Sequence, residues 1–159
     1  LDAIERFNKN KYFKADFIIA GPLESNEMQY KDKIFNSTNH NNNIIYLGNI
    51  NDVKNLFNKI DIFVLPSNRE GISRSLLEAM SMERLVIGSN KPGIKNVINN
   101  NKDWFIFNDY KSYSLYKSFI KIYSLESADI KKITTNARLN IENNYRYDLV
   151  NSVYKKLLE

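Results

Sequence analysis

The stretch DIFVLPSNREGISRSLLEAMSMERLVIGS, residues 61–89, decides the fold of this chain. It opens with an apolar run that stops at proline, which predicts a buried β-strand over residues 61–67. We predict a helix over residues 73–82 and a second apolar strand over residues 84–89. Apolar strands that alternate with helices are typical of a parallel sheet whose two faces are covered.

The same alternation continues on both sides of this unit. Further strands are predicted at residues 15–21, 43–48 and 104–108. Further helices are predicted at residues 27–37, 51–60, 93–99, 110–124, 127–145 and 147–158. Asn51 or Asp52 can cap the helix at 51–60, and Ser127 is the predicted cap of the helix at 127–145. The fold class is therefore α/β: a doubly wound, mostly parallel, Rossmann-like sheet of at least five strands with C-terminal helices.

Length and composition narrow the functional classes. A chain of 159 residues fits a single domain over residues 1–159. It has no cysteine, which excludes disulfides and thiolate metal sites. The one histidine, His40, lies in the polar run STNHNNN and is predicted to be a solvated loop residue, which argues against a zinc site or a serine-histidine-aspartate triad. No apolar run approaches the ~18 residues of a membrane span.

The net charge of +5 allows an anionic partner, but its distribution does not favour nucleic acid. The basic residues are spread along the chain, and no block of five or six occurs. We therefore interpret most of them as solvated surface lysines and expect no nucleic-acid partner.

Ligands of a doubly wound sheet bind beyond the carboxyl ends of its strands, beside helix N-termini. This rule points to four loops, with the sequences GPLESN (21–26), GNIND (48–52), SNREGIS (67–73) and SNKPG (89–93). Neither the P-loop pattern nor G-x-G-x-x-G after the first strand is present, so a standard kinase, GTPase or dinucleotide site is not expected.

The loop SNREGIS has the richest chemistry of the four. Gly71 allows the backbone to come close to a ligand, and the free amides near Ile72 to Ser75 form an anion site at the start of a helix. Arg74 can add a bidentate phosphate contact. This pattern predicts a phosphate-binding loop.

Two carboxylates flank that loop. Glu78 lies on the second turn of the helix, on the same face as Arg74 and Ser75, and a carboxylate there suits a vicinal diol. Glu70 precedes the helix, beyond the phosphate. A diol, a diphosphate and a further hydroxylated group outline a nucleotide-sugar. The residues alone leave open that Glu70 only stabilises the helix N-terminus and that Glu78 only pairs with Arg74.

The segment LPSNREGISRSLLEAM resembles the signature of the GT-B glycosyltransferases of family 4, the E-x7-E motif, with Glu70 and Glu78 at its two glutamate positions. The resemblance continues along the chain in FIIAGP (17–22), IIYLGNINDVKNLFNKIDIFVLPS (44–67) and KPGIKNVI (91–98). The segment REGISRSLLEA (69–79) is especially similar to the corresponding segment of bacterial members that add sugars to lipid-linked oligosaccharides.

The resemblance implies a role for each site residue. Glu78 binds the ribose diol, and Glu70, the catalytic residue, lies against the donor sugar and stabilises the transition state. The other implied nucleotide-sugar-binding residues are Gly71, Ile72, Ser73, Arg74, Ser75, Gly21 and Gly48. The implied reaction is a retaining transfer of a hexose or N-acetylhexosamine from a nucleotide-sugar, with UDP-sugar as the expected donor. Its acceptor is a glycan or lipid-linked molecule of surface polysaccharide synthesis. No cofactor and no obligatory metal are expected.

Departures from the family pattern concern loops and domain content. Glu83, Arg84 and Leu85 stand where members usually have a Gly-Lys-Pro turn, and Asn96 stands where they often have glutamate. Family enzymes have a separate N-terminal domain that binds the acceptor. The resemblance therefore implies an N-terminally truncated, donor-binding half of a GT-B enzyme that is inactive alone and needs its missing N-terminal domain as a partner.

The expected location is the cytoplasm, with peripheral association at the inner face of the cell membrane left open. Two other functional classes also stay open at this point. One is a non-catalytic α/β module that binds nucleotide or another anionic partner. The other is a module that dimerises through an exposed sheet edge.

Overall fold

The computed structural model describes residues 1–23, 28–98, 105–108 and 111–148, with five strands and seven helices. The strands are β1 (Phe17–Ala20), β2 (Ile44–Gly48), β3 (Ile62–Leu65), β4 (Leu85–Ser89) and β5 (Phe105–Phe107). The helices are α1 (Asp2–Asn8), α2 (Met28–His40), α3 (Val53–Lys59), α4 (Arg74–Ser81), α5 (Pro92–Lys95), α6 (Ser112–Tyr123) and α7 (Ser127–Asn144).

Every strand pairing is parallel, as predicted from the alternation of strands and helices. β1 pairs with β2, and β4 lies between β3 and β5. Within the described residues these pairings form two hydrogen-bonded groups, of two and three strands, rather than one continuous sheet. The doubly wound α/β class is therefore confirmed, with its strands divided between the two groups.

Helices cover both faces of the three-stranded group. On one face, Leu85 and Ile87 of β4 pack in a core with Phe7 of α1 and Phe119 of α6. On the other face, Val86 packs with side chains of α3, α4, α5 and α7. All five residues of β4 are buried, which confirms the prediction of a strand covered on both faces.

The prediction of fully covered strands is wrong for β1 and β2. Their residues alternate between covered and exposed, so that Phe17 and Ile44 face the interior while Ile18 and Ile45 are 37% and 47% exposed. The apolar sequence could not reveal this difference, because isoleucine is equally apolar on either face. Only the placement of the helices decides which face is covered.

Three local predictions concern helix ends. Asp52, rather than Asn51, caps α3, since its carboxylate accepts a hydrogen bond from the Asn55 amide at 2.9 Å. Ser127 is not a cap: it is the first residue of α7, and Glu126 takes the cap position without a side-chain hydrogen bond. The expected loop histidine, His40, is the last residue of α2, and its Nδ1 donates to the Asn36 carbonyl at 2.7 Å. The α2 helix is thus longer than predicted.

The helix predicted at 93–99 is shorter in the structure, where α5 ends at Lys95. The remaining boundaries differ by a residue or two, and the predicted helix at 147–158 lies largely outside the described residues. In the part of the chain that the structure describes, no helix combines the length and apolar character that a bilayer crossing requires.

The turn between α4 and β4 has a strained backbone. Glu83 has a φ of 54°, the left-handed region that glycine adopts without cost. Its carboxylate accepts a hydrogen bond from Lys131 of α7 at 2.9 Å, and this hydrogen bond lowers the pKa of Glu83. The sequence that departs from the family's Gly-Lys-Pro turn therefore still forms a turn of glycine type.

Candidate ligand-binding site

The loop between β3 and α4 lies at the carboxyl edge of the three-stranded group. It contains Glu70 and Gly71, and it is tied to the end of β4, because the Ser89 hydroxyl donates to the Ser67 carbonyl at 2.5 Å. The loop after β4 is tied in turn to β5, through a bond from the Asn90 amide to the Phe107 carbonyl at 3.1 Å. Two of the four predicted loops, SNREGIS and SNKPG, are therefore joined by a hydrogen bond at the carboxyl ends of β3 and β4.

The start of α4 presents backbone amides. Ser73 occupies the cap position and is buried, but its hydroxyl lies 3.1 Å from the Ser75 hydroxyl and makes no capping bond to the helix. No hydrogen bond runs from the amides of Arg74 and Ser75 to another described residue. Unpaired amides at a helix N-terminus attract anions. This geometry agrees with the predicted phosphate-binding loop.

Glu70 and Glu78 flank these amides, and both are half-buried. Among the described residues, the ion pairs are Lys33–Asp2, Lys131–Glu83, Arg138–Glu142 and Arg146–Asp148. The alternative in which Glu78 only pairs with Arg74 is therefore not realised. Both carboxylates can accept hydrogen bonds from hydroxyl groups of a ligand.

Gly21 and Gly48 lie together at the carboxyl edge of the other strand group. The Gly21 amide donates to the Gly48 carbonyl at 2.8 Å, and the Tyr46 hydroxyl donates to the Gly21 carbonyl at 2.9 Å. Both glycines have positive φ, 135° and 64°. No hydrogen bond between described residues links them to the loop between β3 and α4, so their role as ligand contacts stays a prediction.

Gly93 is a residue whose importance the sequence did not reveal. A Cβ atom built on it would lie 1.9 Å from the carbonyl oxygen of Glu70 and 2.0 Å from that of Gly71. The start of α5 therefore packs in direct contact with the loop that contains Glu70. The predicted loop SNKPG contains this glycine, but its contact partner is distant in sequence and only the fold brings the two together.

The residues that the structure describes contain no group of three or more His, Asp or Glu side chains able to hold a metal ion. The expectation of a reaction without an obligatory metal stays a prediction.

A sequence model of the family described as "Glycosyl transferases group 1" matches residues 1–140. Two curated relatives match most of the chain. One is the capsular polysaccharide biosynthesis glycosyltransferase CapM of Staphylococcus aureus, 25% identical over 142 residues, which cover 89% of this chain and 37% of the relative. The other is the UDP-Gal:alpha-D-GlcNAc-diphosphoundecaprenol alpha-1,3-galactosyltransferase of Escherichia coli, 28% identical over 143 residues, which cover 87% of this chain and 36% of the relative.

The fold is also similar to a solved glycosyltransferase of Rickettsia africae. The two share 25% sequence identity and a TM-score of 0.82, over 99% of this chain and 43% of that protein. The chain thus spans about two fifths of the length of each of these three proteins.

Proposed function

This chain belongs to the glycosyl transferases group 1 family, and we propose that it is the donor-binding half of a retaining GT-B glycosyltransferase. One observation carries the proposal: two half-buried carboxylates without ion-pair partners among the described residues, Glu70 and Glu78, flank unpaired amides at the start of α4. A nucleotide-sugar offers a diol, a diphosphate and a sugar in the matching order.

The donor is a UDP-sugar, and the transferred group is a hexose or an N-acetylhexosamine. The acceptor is a glycan or a lipid-linked sugar of surface polysaccharide synthesis. Two relatives support this substrate class: the E. coli protein is named for transfer from UDP-Gal to a diphosphoundecaprenol-linked sugar, and the S. aureus protein is named for capsular polysaccharide biosynthesis.

Each site residue has a distinct task in the proposed reaction. Glu78 accepts hydrogen bonds from the two ribose hydroxyls, which fixes the nucleoside. Backbone amides between Gly71 and Ser75, together with Arg74, stabilise the charge that collects on the diphosphate as it leaves. Glu70 faces the donor sugar and stabilises the positive charge that develops at its anomeric carbon.

The proposed step requires no covalent intermediate with the protein. The bond between the anomeric carbon and the diphosphate oxygen breaks, and the acceptor oxygen forms its bond to the same carbon on the same face. The acceptor proton passes to the leaving diphosphate. The E-x7-E pair therefore contributes positioning and electrostatic stabilisation, and the reaction needs no obligatory metal.

The chain acts together with an N-terminal acceptor-binding domain. This proposal is supported by the coverage of the three similar proteins described above, since the chain spans 36% to 43% of their lengths. We expect no sugar transfer when the 159-residue chain alone is incubated with UDP-sugars and lipid-linked acceptors. Detection of a glycosylated product would contradict the assignment as a half.

We also propose that the protein lies in the cytoplasm and associates peripherally with the inner face of the cell membrane. The α6 helix offers a suitable surface, because residues 111–124 contain Lys111, Lys117 and Lys121 and neither Asp nor Glu, and Tyr113 is exposed. Lysines close to an anionic bilayer contribute about 1 kcal/mol each. Sedimentation with anionic but not neutral vesicles is the expected result, and equal sedimentation with both would contradict it.

A non-catalytic α/β module that binds nucleotide or another anionic partner is less favoured. The family match extends over residues 1–140, which include the whole candidate site.

Binding of UDP to the chain tests the proposal. Glu78→Ala should weaken it about 10- to 150-fold, because charged hydrogen bonds of about 1.5–3 kcal/mol are lost. The control is Glu126→Ala, which changes an exposed glutamate that makes no capping bond. Calorimetric titration with 2′,3′-dideoxy-UDP should give the same affinity for the wild-type chain and Glu78→Ala. A chain that binds no nucleoside diphosphate, or an equal loss for both ligands, would overturn the ribose assignment.

A further inference from the structure

The start of α5 lies against the backbone of the loop between β3 and α4. A Cβ atom on Gly93 would lie 1.9 Å from the Glu70 oxygen, 2.0 Å from the Gly71 oxygen and 2.6 Å from the Glu70 carbonyl carbon. Real Cβ atoms essentially never come closer than 3.0 Å to such atoms. Since both partners are main-chain groups, no change of rotamer can relieve the clash.

The α5 helix cannot easily retreat from this contact. The residue after Gly93, Ile94, is fully buried, and Val97 is nearly so. Both belong to the core that also contains Leu76 of α4. A side chain at position 93 would therefore displace the loop, which is more exposed than the helix beside it.

The contact also fixes the direction of two peptide groups. At Glu70 the carbonyl oxygen lies closer to the Gly93 position than its carbon does, and at Gly71 the oxygen is likewise the nearest atom, so both carbonyls point toward α5. In a trans peptide the N–H points opposite to the carbonyl, and the described chain has no cis peptide. The amides of Gly71 and Ile72 therefore point away from α5.

These two amides have no hydrogen-bond acceptor within the described residues. Neither donates a hydrogen bond to another described residue, and Gly71 and Ile72 are both exposed. They precede the unpaired amides at the start of α4, so together they extend the row of donors available to an anion.

We propose that Gly93 is a positioning residue that orients the amides of Gly71 and Ile72 toward the diphosphate of the donor. The inference rests on the proposed function and adds a residue outside the E-x7-E segment to its site. Because position 93 has no side chain, α5 can pack directly against the carbonyl side of the loop, opposite to these amides. The role concerns the phosphates and not the nucleoside, which Glu78 holds.

The test compares UDP with uridine on the 159-residue chain, using Gly93→Ala and the control Lys95→Ala. Lys95 is exposed on the same short helix. By chemical-shift titration, Gly93→Ala should lower the ratio of UDP to uridine affinity at least tenfold while uridine affinity changes less than twofold. Lys95→Ala should keep the wild-type ratio. A merely structural role would weaken both ligands together and leave the ratio unchanged.

The outcomes separate this inference from the proposed function. Wild-type binding of UDP with an unchanged ratio in Gly93→Ala overturns the role of Gly93 and leaves the proposed function standing. A wild-type chain that binds no nucleoside diphosphate overturns the proposed function itself.

A measurement on the wild-type chain tests the inference even if the Gly93→Ala variant does not fold. In ¹⁵N-labelled protein the amide resonances of Gly71 and Ile72 should shift on addition of UDP and stay in place on addition of uridine. If neither amide responds to UDP at saturation, the inference is wrong regardless of how the variant behaves.

Discussion

The two strand groups contain similar apolar sequences but differ in how they are covered. Ile87 of β4 is fully buried, whereas Ile45 of β2 is 47% exposed. Helices enclose the three-stranded group on both faces, while one face of β1 and β2 stays open in the described residues. Glu70 and Glu78 belong to the enclosed group. The two glutamates are therefore positioned by the part of the molecule in which helices cover both faces of the strands.

The two groups share one core despite their separate hydrogen bonding. Phe7 of α1 makes ring contacts with Phe17 of β1 at 5.6 Å and with Phe119 of α6 at 5.8 Å between centroids. Phe7 and Phe119 belong to the cluster that also buries Leu85 and Ile87 of β4, and Phe17 packs against this cluster. The less covered group is therefore attached to the enclosed one through side-chain packing and through the connecting helix α3.

A pair of matched substitutions tests the comparison most strongly. Ile87→Ala should lower the free energy of unfolding by about 2–5 kcal/mol, because it leaves a cavity in a sealed core. Ile45→Ala should cost less than about 1 kcal/mol, because half of that side chain is already in water. Urea denaturation of the 159-residue chain measures both. Equal losses would show that the open face of β2 is covered in solution.

Substitutions at Glu83 test whether the backbone of the turn between α4 and β4, in the enclosed group, is strained. Glu83→Gly should be more stable than Glu83→Ala by about 1 kcal/mol, because only the alanine keeps the cost of positive φ. Both variants delete the bond to Lys131, so that their difference reports the backbone alone. Thermal unfolding of the two variants gives the comparison. At an ordinary position alanine is the more stable of the two, and that order here would exclude strain.

The cap of α3 tests the connection between the two groups. Asp52→Ala should destabilise the chain by about 1 kcal/mol, because the Asn55 amide loses its acceptor. Asp52→Asn should cost only a fraction of that, since asparagine caps equally well. If the alanine variant loses no stability in urea, then α3 contributes little to joining the groups.

The smallest expected effect is a pH dependence at Glu83. The hydrogen bond from Lys131 lowers the folded-state pKa below the ordinary value of 4.5. Its contribution is therefore complete above pH 4.5 and is lost as the pH falls through the lowered folded-state pKa. Because the pair is exposed, we expect less than about 0.5 kcal/mol. The stability of the wild-type chain minus that of Glu83→Gln should shrink between pH 6 and pH 3, and a difference that grows on acidification would contradict the assignment.

Local signals in the sequence predicted much of the enclosed group. The apolar run that ends at Pro66 and the helix that follows it appear close to their predicted bounds, as β3 and α4. Local side chains also gave Asp52 as one of two candidate caps, and the structure selects it over Asn51. The same rule failed at Ser127, because a serine can stand at the cap or one residue inside the helix and sequence does not distinguish the two. His40 was misplaced because a polar run can end a helix or continue it.

The amino-acid sequence by itself determined the α/β class, the parallel pairing, the loop between β3 and α4 with Glu70 in it, and Glu78 in the helix that follows. These follow from hydrophobic runs and turn residues that act over a few positions. Only the tertiary structure decided which face of β1 and β2 stays open and which glycine supports the loop of Glu70. Such contacts join residues more than twenty positions apart, as Gly93 and Glu70 are. No local pattern encodes them, since they exist only after the helices have packed.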